Sequence, residues 1–228
     1  MYQDGYSSYF FNENFYKAAQ EMDQAGDMHF VLGTAWELDS WMDVDKTLEK
    51  AAATKKYESA HIRTNWLKMF MDGTVESGTG FIDPMYPDGH QGIPNWSEEE
   101  LTDITRKANA KGINISSHSD FPALSGSPDD PFSIMEIVLT GVYHKENAQP
   151  WWPEELLTRE QALTAMTINC AKQMFLENER GSVSVGKYAD FLLVTKDVLT
   201  CPVTEIHEAK PAATYFEGKK VFPLNIED

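Results

Sequence analysis

Basic residues are scarce in this chain. Nineteen lysines and arginines stand against 36 aspartates and glutamates in 228 residues, leaving a formal net charge of −17. Nucleic acid is bound through a basic face, so this balance excludes it as an expected partner, and anionic membrane surfaces with it. Cysteine is scarcer still: Cys170 and Cys201 are the whole complement, and they lack the close spacing of a metal clip. Two unpaired thiols fit a reducing compartment, so a cytoplasmic location is expected. No apolar run approaches the length of a membrane span. The opening MYQDGYSSYFFNENF has acids and no basic flank, which is not the pattern of a signal peptide. The histidines form no HxH or HExxH pair, so spacing alone gives little metal signal. There is no glycine-rich phosphate loop, which sets aside a nucleotide- or sugar-binding α/β protein. No internal repeat is visible.

The hydrophobic share of 42% and charged share of 24% are those of an ordinary globular chain with a sizeable core. Residues 11–25 carry Phe11, Phe15, Ala18, Ala19 and Met22 at helical spacing and stop at Gly26. MHFVLGTAW alternates as a strand, and DVDKTLEKAAATKKY returns to helix with acids first and lysines last. WLKMFMDGT reads as a strand ending in an Asp-Gly turn. Ser97 caps SEEELTDITRKANAKG, and Gly112 ends it before the strand that begins at Ile113. Helices follow over FSIMEIVLTGVY and from a Thr158-x-x-Gln161 capping box, with Leu163, Met166, Cys170 and Met174 expected in the core. RGSVSVGKYADFLLVTKD then alternates, turns at Gly186-Lys187 and ends in an apolar run, Phe191–Val194, expected to be buried. A hairpin through Glu217-Gly218 completes a β-rich tail. Alternating strands and helices with short links indicate a parallel α/β architecture.

Side chains at the carboxyl ends of parallel strands line the ligand crevice. Asp72 and Asp120 sit at such ends, and Lys68 lies within its strand, where a lone ammonium is costly to bury. Each has a structural alternative. Asp72-Gly73 is a common turn, Asp120 can cap the next segment, and Lys68 can extend its ammonium past the rim. His118 suits a hydrogen-bonded wall as well as a ligand. Trp66, Phe81, Trp96 and Trp151 are candidates for an apolar pocket, against the commoner use of aromatic residues as core.

Taken together, these segments resemble the amidohydrolase superfamily, in particular the metal-dependent group labelled amidohydrolase family 3. LKMFMDGTVESGTG is similar to that group's strand-four motif. SHSDFPALSGSPDDPF resembles its strand-eight motif, and TREQALTAMTINCAKQMFLENERGSVSVGKYADFLLVTKDVL its C-terminal signature. The resemblance implies a partial (β/α) TIM-like barrel over residues 1–178 with a small β-rich domain over 179–228. It implies a metal-dependent hydrolase of C–N bonds other than peptide bonds, acting on a small-molecule amide. One or two divalent metals, zinc first, would activate water. Asp120 matches the aspartate that ligates metal and shuttles a proton. Lys68 matches a lysine that can be carboxylated to bridge two metals. Asp72 matches an active-site wall or supporting position, and His118 replaces the usual glycine.

The departures define a second expectation. The family's strand-one His-x-His pair and its strand-five and strand-six histidines have no counterpart. The chain reads as starting after strand one, with several β/α units missing near residues 109–112. Zinc sites use at least three protein ligands, so two remaining ligands, Lys68 and Asp120, are expected to bind metal poorly. A catalytically dead remnant that binds or self-assembles into a homo-oligomer through open strand edges is the alternative.

Overall fold

The computed structural model describes residues 2–5, 13–74, 77–82, 85–116, 130–142, 149–150 and 153–223. They belong to two compact units, Met1–Ser117 and His118–Asp228.

The first unit is a parallel sheet with helical crossovers. Its elements are β1 (Tyr2–Gly5), α1 (Glu13–Ala25), β2 (Leu32–Leu38), α2 (Val44–Ala53), β3 (Ile62–Met69), α3 (Glu98–Ala110) and β4 (Asn114–Ser116). All neighbours pair parallel, in the order β1-β2-β3-β4. Asp43 caps α2, and Ser97 forms a reciprocal capping box with Glu100 on α3, so both helices begin where their acidic first turns lead in the sequence.

Two strands sit differently from their sequence patterns. β2 starts at Leu32, not at Met28: Met28 is buried in the connection after α1, while Phe30 is exposed. β3 starts four residues before Trp66, because a bulge admits the polar pair Thr64-Asn65. Thr34 of β2 alone faces these two residues across the register. Asn65 takes a positive φ of 77° there, and its side-chain amide donates to the Gly112 carbonyl. The extra residue breaks the period-2 signal and hides the first half of the strand.

Leu38, Leu67 and Met69 face the helices and join Leu48, Ala51, Ile104, Ala108, Ile113 and Trp96 in one buried cluster. Burying a leucine such as Leu48 or Leu67 is worth roughly 1.5–3 kcal/mol, and several do so here. Since side chains alternate along a strand, Glu37 and Lys68 lie on the opposite face. That alternation positions the candidate site.

The second unit contains α4 (Pro131–Thr140), α5 (Arg159–Thr164), a π-turn over Ala165–Asn169, α6 (Cys170–Gln173) and three antiparallel strands. These are β5 (Phe191–Val194), β6 (Pro211–Phe216) and β7 (Lys219–Phe222), in that order across the sheet. Asp130 caps α4 through Phe132 N and Ser133 N, so the Asp-Pro of the strand-eight motif serves as a helix start. Phe132, Met135, Ala162, Ile206 and Ala209 form the core cluster.

Here the expected core needs correction. Leu163 and Cys170 are exposed, whereas Ala162, Ala171 and Met174 are buried. The π-turn over Ala165–Asn169 is wider than an α-helix, which rotates Cys170 off the 3.6-residue stripe; Leu163 precedes it and lies on the exposed side of α5. The segment from Gly181 to Asp190 forms turns in place of a strand pair. Phe191, Leu192 and Leu193 are exposed on β5, an edge strand; an apolar run does not by itself say which side is covered.

Candidate functional site at the carboxyl ends of the parallel strands

Lys68 is the penultimate residue of β3, and Glu37 the penultimate residue of β2. The two are direct register partners, and Ser116 of β4 is the register partner of Lys68 on its other side. Neighbouring strands lie about 4.8 Å apart, so a carboxylate-bearing and an ammonium-bearing residue stand side by side. Glu37 is 4% and Lys68 6% exposed. The Lys68 ammonium lies 4.0 Å from the centroid of the Phe70 ring, a cation over an aromatic face that gains about 0.5–2 kcal/mol. The sequence places Lys68 correctly inside a strand. It gives only a faint sign of Glu37, an acid inside the apolar stretch LGTAWEL.

The chain leaves β3 at Met69 and enters α3 only at Glu98, a long excursion at the end of the sheet where ligands bind. Asp72 stands at its start. Its Oδ2 accepts from Phe81 N at 2.7 Å, so its carboxylate organises the loop; the chain bends at Asp72 without forming the tight Asp-Gly turn expected. The return limb is tied back by Asn95, whose N donates to the Met71 carbonyl at 2.8 Å. Trp96 Nε1 donates to the Phe70 carbonyl at 2.8 Å.

Between these limbs opens a cleft of about 430 Å³, lined by Asp72, Gly73, Gly78, Thr79, Gln91, Gly92, Ile93 and Asn95. Glycine is required at two points of the wall. A Cβ on Gly73 would meet Thr79 Oγ1 at 1.9 Å, and one on Gly92 would meet the Thr79 carbonyl at 2.1 Å. His90 fastens the outer limb: Nδ1 lies 2.5 Å from Asp88 Oδ1, Nε2 lies 2.8 Å from the Gly78 carbonyl, and the ring stacks on Tyr86 at 4.4 Å. The Gly78 hydrogen bond and the Asp88 carboxylate hold the His90 pKa above the usual histidine value.

Of the residues expected to carry chemistry, Lys68 and Asp72 fall at the carboxyl end of β3. His118 and Asp120 lie outside the described residues, as does Trp151. Trp66 and Trp96 are buried, Trp96 in the helix-facing core; Phe81 is exposed. Among the described residues, no group of three or more His, Cys, Asp or Glu side chains is placed to hold a metal ion. Lys68 over an aromatic face is an ammonium with no lone pair to give, and Glu37 is one carboxylate. This described donor set does not fit a divalent cation.

The C-terminal signature has a structural explanation. Arg180 is 9% exposed. Its guanidinium donates to Asp190 and Glu217 and lies over the rings of Tyr188 and Phe216, 4.2 and 4.8 Å from their centroids. Asp190 also accepts from Glu217 N at 2.7 Å, which fixes the hairpin between β6 and β7. Lys187 reaches back to the carbonyls of Glu177 and Arg180 and to Ser182 Oγ. Gly181 has a positive φ of 85°, and a Cβ there would meet Ala171 Cβ at 2.6 Å. The recognisable residues therefore lock the turn against α6 and the sheet.

The amidohydrolase family model matches residues 110–222. Residues 110–222 belong to the amidohydrolase family. The chain is 33% identical over 108 residues to the N-substituted formamide deformylase of Arthrobacter pascens, covering 47% of this chain and 19% of that protein. It is 36% identical over 73 residues to the protein LONG AFTER FAR-RED 3 of Arabidopsis thaliana, covering 32% and 12%. The chain thus spans at most about a fifth of the length of these two relatives. An uncharacterized metal-dependent hydrolase from Pyrococcus furiosus superposes with a TM-score of 0.50 at 15% identity, covering 78% of this chain and 53% of that one. At that identity the likeness is one of fold. The family implies a divalent metal.

Proposed function

We propose that this chain is the hydrolase part of an amidohydrolase acting on C–N bonds other than peptide bonds, with small amides such as N-substituted formamides as the substrate class. The family match over residues 110–222, which includes Asp120 and the whole C-terminal signature, carries the reading. Support comes from the 33% identity to a formamide deformylase and from Lys68 and Glu37 at the carboxyl ends of adjacent strands. In this reading the strands of residues 1–178 are part of a TIM-like barrel, residues 179–228 are its β-rich companion, and the setting is cytoplasmic. The bound metal, zinc first, supplies activated water. Asp120 receives a proton and returns it to the leaving nitrogen. His118 and Asp72 wall the site, and carboxylation of Lys68 is the change that would convert its ammonium into an oxygen ligand.

The experiment pairs elemental mass spectrometry on chelator-free protein with an N-substituted formamide assay. Expected is hydrolysis that tracks bound metal and disappears in Asp120→Asn with the fold intact. Activity surviving that substitution removes Asp120 from the reaction. A second reading is favoured by the incomplete ligand set among the described residues: a catalytically silent remnant that binds or self-associates. Metal-free, inactive protein that elutes as a concentration-dependent oligomer would establish it.

A further inference from the structure

The cleft beside β3 has a chemical polarity that no likeness assigns. Four polar side chains line it: Asp72, Thr79, Gln91 and Asn95; the Thr79 hydroxyl accepts from Thr74 N at 3.0 Å and pairs with Ser77 Oγ at 2.6 Å, which leaves the other three to consider. Both donors of the Asn95 amide and one of the two on Gln91 are spent on the protein itself. Asn95 Nδ2 donates to the carbonyls of Phe70 and Asp72 at 3.2 and 3.4 Å, and Gln91 Nε2 donates to the Ile82 carbonyl at 2.6 Å. Because those partners are carbonyls, which only accept, the amide orientations are fixed with their oxygens left over. Asp72 uses Oδ2 on Phe81 N and keeps Oδ1. What remains on these three side chains is mainly acceptors, one of them anionic, with a single Gln91 N–H among them, beside the exposed side chain of Ile93.

We infer that this cleft binds an organic ammonium, a protonated primary or secondary amine whose N–H groups meet Asp72, Asn95 and Gln91 while its alkyl or aryl part lies against Ile93. Water alone satisfies such a surface only by turning its own donors inward. An ammonium does so with a charge opposite to that of Asp72, and charge-assisted bonds are about twice as strong as neutral ones. A carboxylate ligand meets repulsion from Asp72 and a single side-chain N–H, that of Gln91. The inference stands on the cleft's own hydrogen bonds. It deepens the C–N hydrolysis reading, because the nitrogen product of that reaction is an amine that is protonated at neutral pH.

The test is a titration of the full chain, with chelator present so that no hydrolysis intervenes, followed by two-dimensional amide NMR. The probes are benzylammonium, benzyl alcohol and benzoate. Benzylammonium is expected to shift the amides of Gly73, Gln91, Gly92 and Asn95, and benzoate to leave them unmoved. Asp72→Asn, which keeps an acceptor for Phe81 N, is expected to weaken benzylammonium by about tenfold, the size of one charge-assisted bond. Gln91→Leu removes an acceptor without touching charge and is expected to weaken it less. Benzyl alcohol or benzoate binding as tightly as benzylammonium, or unchanged affinity in Asp72→Asn, overturns the inference whether or not the chain hydrolyses amides.

Discussion

Two glycine-rich segments follow regular structure in this chain, and they end in opposite states. After β3, the limbs of the loop are pinned at their edges and leave a cleft between them. After α6, the loop from Gly181 to Asp190 is filled by Arg180 and Lys187, which meet carboxylates, carbonyls and aromatic rings. The second segment carries the longer and more specific sequence pattern, yet its residues fold the chain. The first has a shorter pattern and keeps unspent acceptors. Length of motif here measures how many side chains a turn needs, and chemistry has to be looked for where bonding capacity is left over.

The sharpest way to break this comparison is at Arg180. Its side chain is 10% exposed between Asp190 and Glu217. Arg180→Ala leaves two half-buried carboxylates facing each other without their cation, a loss expected to reach about 3–5 kcal/mol. Urea unfolding of wild type and variant measures it. Arg180→Lys is expected to recover less than half, because an ammonium cannot serve two carboxylates in a fork or lie flat on Tyr188 and Phe216. A change below about 1 kcal/mol would mean the signature is not the lock described.

A second contrast lies along the parallel sheet itself. Its carboxyl end carries Lys68, Glu37 and the cleft; its amino end is clamped. Asp23, near the end of α1, accepts from Ser59 Oγ at 2.5 Å and from His61 N at 3.2 Å, with His61 Nδ1 at 2.5 Å. Burial pushes the Asp23 pKa up, but the Ser59 and His61 bonds outweigh it and hold the carboxyl below its usual value. A depressed carboxylate adds stability that is complete above the unfolded pKa and is lost as pH falls through the folded one. Asp23→Asn is therefore expected to cost about 1–3 kcal/mol at neutral pH and little under strongly acidic conditions. A pH-independent difference between the two proteins would remove Asp23 from the acid response.

Much of this was legible in the residues. The capping boxes at Ser97 and Thr158, the helix stop at Gly112, and the β3 location of Lys68 all follow from local bonding, and the structure has them. Three features were hidden for physical reasons. The Thr64-Asn65 bulge removed the alternation of β3, and the π-turn displaced the buried face after α5. Glu37 acquires meaning only from its register against Lys68, which pairs residues 31 apart. The cleft was hidden more deeply, since which amide atoms remain unspent depends on hydrogen bonds to Phe70, Asp72 and Ile82.

The smallest expected effect sharpens the comparison at the open loop. Both ring nitrogens of His90 face acceptors, Asp88 and the Gly78 carbonyl, so both bonds form only when the ring carries two protons. The Gly78 and Asp88 bonds raise the His90 pKa above 6.5, and the His90 bonds lower that of Asp88. A raised histidine stabilises below its unfolded pKa and ceases to as pH rises through its folded value. The latch is thus closed between the two pKa values and loosens on the alkaline side. His90 is solvent-exposed, so the global unfolding curve should scarcely move. The amide of Gly78 is the sensitive reporter, since it belongs to the cleft wall. Its NMR shift is expected to titrate together with His90, at a pH above 6.5, and Asp88→Asn to move both downward. A histidine that titrates at or below the free value, or a Gly78 amide indifferent to it, would show that the wall of the cleft is held by the backbone alone.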